Sequence, residues 1–227
     1  MKKSTLTNLI AILLCCLSTQ LQGQESWIDT SIHSGLIELK TEYTFKTLVS
    51  NDSIKTTTET LKNLNNAKLY FDKIFQTDLD FAVLFIENKE WSKYAYFPPP
   101  GLPQAGNGNV ILGLDKSVVS REVEKMVTQL SEQYWTSLKP VYGENIDLDL
   151  FYRETLSILE LAHLYHFKEG TKPQRKWLQE LFATLSMYSF IKEQSNSSYE
   201  LMDTYPKFVI QSGDRMAEFK TLKDFEE

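Results

Sequence analysis

Cysteine is nearly missing from this chain. Its two cysteines, Cys15 and Cys16, both stand close to the start of a sequence of 227 residues. Beyond them no disulfide, thiolate metal site or cysteine nucleophile can form, and the core alone must hold the fold together. Long hydrophobic runs are lacking too. The most apolar stretch, Leu9 to Leu17 (LIAILLCCL), is well short of the about 20 residues a bilayer-spanning helix needs. No arginine-rich stripe or basic patch occurs, which argues against nucleic acid as a partner. Internal repeats and low-complexity tracts are absent as well.

What is present begins with an address. Lys2 and Lys3, the apolar run, and a polar stretch ending at Gly23 have the three-part layout of a secretory signal peptide, with cleavage expected after Gly23. A lipid tether through Cys15 or Cys16 is disfavoured, because Leu14 stands where a small residue is usual. Without Lys2 and Lys3 the 24 basic residues become 22 against 30 acidic ones, a balance of −8. That charge suits an exported protein, periplasmic or extracellular. The short lysine-led signal points to a bacterial source, so Asn51-Asp52-Ser53 and Asn196-Ser197-Ser198 read as chance matches to glycosylation tripeptides.

Residues 24–227 have the length of one domain. Ile37 to Val49 alternates enough for a strand or two, and Thr56 to Phe75 predicts an amphipathic helix. Leu79 to Ile86 (LDFAVLFI) reads as a strand buried on both faces. Trp91 to Phe97 is expected to be extended, and Pro98, Pro99 and Pro100 then break the chain. Val110 to Leu114 predicts a short strand whose Gly113 marks an edge or a close backbone approach. Ser117 to Leu138 predicts a helix capped by Ser117 or Ser120. Another, capped by Asp147 or Asp149, should run from Leu150 to Phe167, apolar on most sides. Gly170 stops it, and Thr171 and Pro173 restart a helix to Lys192. Phe208 to Gln211 is expected as a strand, and the ending TLKDFEE adds no element.

Polar groups within an apolar helix require a reason. The Leu150 to Phe167 helix carries Glu160, His163 and His166, and the next helix carries Glu180. Helical His-Glu-x-x-His works because i and i+4 bring two imidazoles to one metal while the glutamate activates bound water. Here the five residues are Leu159-Glu160-Leu161-Ala162-His163. His33, far from this group, reads as an isolated surface residue.

This helix pair resembles that of zincin metallopeptidases of the gluzincin type, with Trp177-Leu178-Gln179-Glu180-Leu181-Phe182-Ala183 matching the family's second helix. The resemblance implies that His163 is a metal ligand, Glu180 a further ligand and Glu160 the general base. It also likens the stretch from Gly101 to Gly113 to the edge strand that pairs with an extended peptide, placing substrate contacts at Gly108, Asn109, Val110 and Ile111. Leu159 departs from it, since hydrocarbon offers no lone pair to zinc. Sixteen residues separate His163 from Glu180, slightly fewer than is usual in the family. No later His or Tyr clearly supplies a transition-state donor.

His166 lies about 20° from Leu159 around an ideal helix, so a rearranged His163, His166 and Glu180 zinc site is one alternative. The favoured expectation is that Glu160, His163, His166 and Glu180 form a hydrogen-bonded cluster with no metal. The sequence thus predicts an α+β, zincin-like domain. Residues 24–115 hold a small mixed sheet and residues 116–227 are mainly helical, ending short of the family's usual length. The helix pair floors a cleft. The expected function is that of an exported pseudopeptidase binding extended peptide. The rivals are an active zinc hydrolase and an envelope protein whose fold serves only as structure.

Overall fold

The computed structural model describes residues 27–51, 58–130, 132–168, 175–194 and 196–212. The signal segment, Thr56, Gly170, Thr171 and Pro173 lie outside these residues.

The fold is α+β, a small mixed sheet packed against helices. Its strands are β1 (Ile37–Leu39), β2 (Lys46–Val49), β3 (Ala82–Ile86), β4 (Gln104–Gly106) and β5 (Asn109–Gly113). They lie in the order β1-β2-β3-β5-β4, with β2, β3 and β5 parallel and both outer strands antiparallel. Among the described residues the longer helices are α1 (Thr58–Phe75), α2 (Val118–Gln129), α3 (Leu156–Lys168), α4 (Lys176–Gln194) and α5 (Asn196–Ser212).

Both faces of the sheet are covered, and this explains the continuous apolar run at β3. Val83 and Phe85, with Val49, Val110 and Leu112, point to a core shared with α1, α3 and α4. Leu84 and Ile86, with Leu48 and Ile111, point the other way, onto Trp91 and Tyr94. Alternate residues of a strand face opposite sides, so a strand with two covered faces needs apolar residues throughout. Each fully buried side chain such as Phe81 or Phe85 contributes about 1.5–3 kcal/mol.

The same geometry corrects the extended reading of Trp91 to Phe97. Trp91–Tyr94 is one helical turn. Residues three apart share a helical face, so Trp91 and Tyr94 both enter the second core, at 2 % and 3 % exposure.

Val110 to Leu114 is not an edge. β5 lies between β3 and β4, and β4 is the outer strand. The two are joined by a tight turn in which Asn107 and Gly108 have φ of 44° and 72°, as a type I′ hairpin requires. The close backbone approach does occur: a Cβ on Gly113 would meet Gly101 Cα at 2.7 Å.

Ser117 caps α2, its Oγ accepting from Ser120 N at 2.9 Å, and the helix ends at Gln129 before shorter helical turns carry the chain to Leu138. Asp149 does not cap its own helix. Its carboxylate accepts from Ser117 N at 3.0 Å and pairs with Arg153. A π-helical turn, Leu150–Thr155, leads into α3.

The strand expected at Phe208 to Gln211 is instead part of α5. Met202, Tyr205 and Phe208 recur every third residue and are all buried, whereas Ile210 is 74 % exposed. A strand would have paired Phe208 with Ile210 on one face. Tyr142 holds the helix in place, its hydroxyl donating to Leu201 O at 2.5 Å.

Candidate functional site

Helix α3 lies between α1 and α4 and packs against β4 and β5. This position follows from its sequence: Leu161, Ala162, Leu164 and Tyr165 are fully buried, and a helix apolar on most sides is stable only inside a fold. The polar residues of α3 are therefore carried inward with it.

Glu160 lies near β4, close enough for the backbone of Ala105 to favour its charged form slightly. One turn on, His163 is 7 % exposed. Its Nε2 lies 3.4 Å from Glu180 Oε2 on α4, a carboxylate whose side chain is 64 % exposed. Leu159 meets the main core with its hydrocarbon side chain.

The electrostatics follow from this arrangement. Burial pushes Glu160 up to about 7, the charge of His163 opposing the shift and that of Glu180 adding to it. Burial also resists charging of His163, but its bond to Glu180 and the charges of Glu160 and Glu180 outweigh that, raising it above the ordinary histidine value. Glu180 is held below its ordinary value chiefly by the hydrogen bond to His163. The result is a His163–Glu180 pair in which each partner favours the charged form of the other, beside a carboxyl pushed toward neutrality.

His166 has other partners. Its ring meets Phe75 edge-on at 5.4 Å and Phe182 at 6.0 Å, while Nε2 lies 3.4 Å from Ser186 Oγ. Burial holds it below the ordinary value. The set His163, His166 and Glu180 is thus divided between two places on α4. A catalytic zinc centre takes three protein ligands and keeps an open position; here one imidazole and one exposed carboxylate converge, and Leu159 offers no donor. These residues do not fit such a centre. Among the described residues no group of three or more His, Cys, Asp or Glu side chains is placed to hold a metal.

The four expected peptide contacts are also not at the edge. Val110 and Ile111 are wholly buried inside the sheet. Gly108 sits in the hairpin turn, where a Cβ would meet Ile28 Cα at 2.8 Å. Asn109 is wholly buried, its Nδ2 donating to Asp29 O at 3.0 Å. Its Oδ1 lies 2.8 Å from His33 Nε2, so His33 is not isolated. The open edge lies one strand further out, at Gln104–Gly106.

The register shows what that edge offers. Ala105 opposes Val110, and Gly106 opposes Asn109 next to a two-residue turn. Residues flanking such a turn exchange hydrogen bonds, so the next position outward directs its N–H and C=O away from the partner strand. That position is Ala105.

No known protein family, curated protein or solved structure matches this chain.

Two polar groupings were not foreseen from the sequence. Lys68 is 4 % exposed and bonds to Asp72 at 2.5 Å and Asp78 at 2.6 Å, while Tyr165 donates to Asp72 at 2.6 Å. Lys68 and Asp72, four residues apart in a predicted helix, were a legible pair; Tyr165 was not. Glu154, in the π-helical turn, accepts from Thr60 at 2.7 Å and Asn63 at 3.0 Å. Both groupings fasten α1 to the segment containing α3, and so hold the floor of the site.

Proposed function

We propose that this chain is an exported, non-catalytic peptidase-like protein that holds an extended polypeptide segment along strand β4. The observation that carries the reading is that β4 is the outer strand of the sheet and Ala105 its outward-directed residue. An added strand binds through a sheet edge's outward N–H and C=O groups, and Ala105 directs such a pair away from β5. The helix pair and its acidic residues retain a peptidase-like layout, but Leu159 leaves the ligand set short and the water-activating chemistry without its metal. Export rests on Lys2, Lys3 and the Leu9 to Leu17 run. Among the described residues no helix is long and apolar enough to cross a membrane.

The test is Ala105→Pro. Proline on an edge strand, with its nitrogen facing outward, removes the donor and leaves the ladder to β5 intact. Binding of labelled, extended octapeptides to the purified protein, followed by fluorescence anisotropy, should weaken at least tenfold while the circular dichroism spectrum is unchanged. Unchanged affinity in a folded Ala105→Pro protein, or no peptide binding by the parent, defeats the reading. Export is checked separately: protein recovered from a bacterial host should begin at Gln24.

A further inference from the structure

Beside β4, on the side away from α3, lies a cavity of about 410 Å³. Its walls are Trp91, Tyr96, Phe97, Pro98 and Pro100, and Ser92 and Asn88 add only uncharged polar groups. No charged side chain lines it. The volume falls within the roughly 300–1,000 Å³ of clefts that hold small organic groups.

The cavity is built onto the strand that offers the open edge. Gln104 of β4 is wholly buried, and its Oε1 accepts from Tyr96 N at 2.8 Å and Phe97 N at 3.2 Å. Its Nε2 donates to Phe97 O at 2.6 Å, and Trp91 Nε1 donates to the same carbonyl at 3.1 Å. Tyr96 OH donates to Gly106 O at 2.9 Å. Four hydrogen bonds therefore fix the aromatic wall relative to Gln104–Gly106, the bond from Trp91 ties the wall together, and nothing must fold to form it.

A strand laid along β4 turns successive side chains to opposite faces of the sheet. If one residue looks toward Glu160 and His163, its neighbour looks toward Tyr96 and Phe97. We infer that this cavity receives a bulky, uncharged side chain of the segment paired to β4, and so selects which segments the cleft accepts. The inference rests on the peptide-binding reading and adds to it a chemical preference. An uncharged lining matches an uncharged guest, because a lone ammonium or carboxylate would lose its hydration there without gaining a partner.

The experiment uses fluorescein-labelled octapeptides of one polar sequence, differing only in a central Phe, Leu, Ala, Lys or Glu, titrated against the purified protein. The Phe and Leu peptides should bind at least tenfold tighter than the Ala peptide, and the Lys and Glu peptides no tighter than Ala. Ser92→Trp, at an exposed position on the rim, should fill the cavity and bring the Phe peptide to the affinity that the Ala peptide has for the parent. Phe97→Ala, which opens the wall, gives a second variant with the same expected loss should Ser92→Trp fail to fold. Equal affinities for all five peptides overturn the preference and leave peptide binding standing. So does a Phe preference that survives in a folded variant. Absence of binding by every peptide overturns both readings.

Discussion

His163 Nε2 lies 3.4 Å from Glu180 Oε2, although the His163 side chain is 9 % exposed and that of Glu180 is 64 % exposed. The pair joins a buried helix to one at the surface, and its two members respond to pH in opposite senses. His163 is raised above 6.5, so the stability it contributes is complete below 6.5 and is lost as pH rises through the folded value. Glu180 is lowered from 4.5, so its contribution is present above 4.5 and is lost as pH falls through the folded value. Urea denaturation should therefore show Glu180→Gln less stable than the parent between about pH 4.5 and 6.5, with the deficit vanishing at high pH. Exposure of the carboxylate limits the deficit to about 1 kcal/mol or less. A constant deficit from pH 5 to pH 9 would show that the pair is not ionic.

Glu160 behaves differently. Burial raises it from 4.5 to about 7, so the folded protein binds more protons than the unfolded chain over that interval. Stability then falls as pH rises from 4.5 through 7. Glu160→Gln keeps the size and shape of the side chain and removes the charge. It should match the parent at pH 4 and exceed it at pH 8 by on the order of 2 kcal/mol, allowing for partial exposure. Equal stability at pH 8 would show that Glu160 ionises there without cost.

The Lys68, Asp72 and Tyr165 group tests what fastens α1 to α3. Asp72→Ala leaves a buried ammonium and a buried phenol each short of a partner, and should cost about 3 kcal/mol. Tyr165→Phe removes one hydroxyl donor and should cost about 1 kcal/mol. Thermal denaturation ranks the two, and the reverse order would contradict the network.

Leu159→His asks whether the site is one ligand short of a metal centre. Residues i and i+4 share a helical face, and Glu180 already contacts His163. The variant should bind Zn²⁺ stoichiometrically and at least tenfold tighter than the parent in calorimetric titration, and adding His166→Ala should not weaken it. A folded Leu159→His protein with no gain in Zn²⁺ affinity would count against the helix register on which the zincin likeness depends.

Much of the scaffold was legible because it follows from short-range pattern. Within the LDFAVLFI run, Ala82 to Ile86 is the strand covered on both faces, Leu79 to Phe81 standing outside it, and the spacing from Thr58 to Phe75 is helical. The inward helix bearing Glu160 and His163 followed from its lack of a polar face. Local signals misled where tertiary contacts outweighed them. Trp91 to Phe97 looked extended by composition, but Trp91 and Tyr94 share one apolar core that only a helical turn can feed. Phe208 to Gln211 looked like a strand, yet Tyr205 and Phe208 find partners in a third core that includes Tyr142 and Leu148. The turn at Asn107-Gly108 was readable and was missed, which moved the edge inward by one strand.

By itself the sequence determined that thiol chemistry is excluded beyond Cys16, that a helix carries Glu160 and His163 into the core, and that Leu159 cannot ligate a metal. These depend only on side-chain chemistry and helical period. Tertiary structure alone decided that Glu180 reaches His163 while His166 turns to Ser186, that Ala105 is the outward-facing edge residue, and that Gln104 holds an aromatic wall beside it. Such relations join residues far apart in the chain. Their distances depend on how α3, α4 and the sheet pack, which no local periodicity encodes.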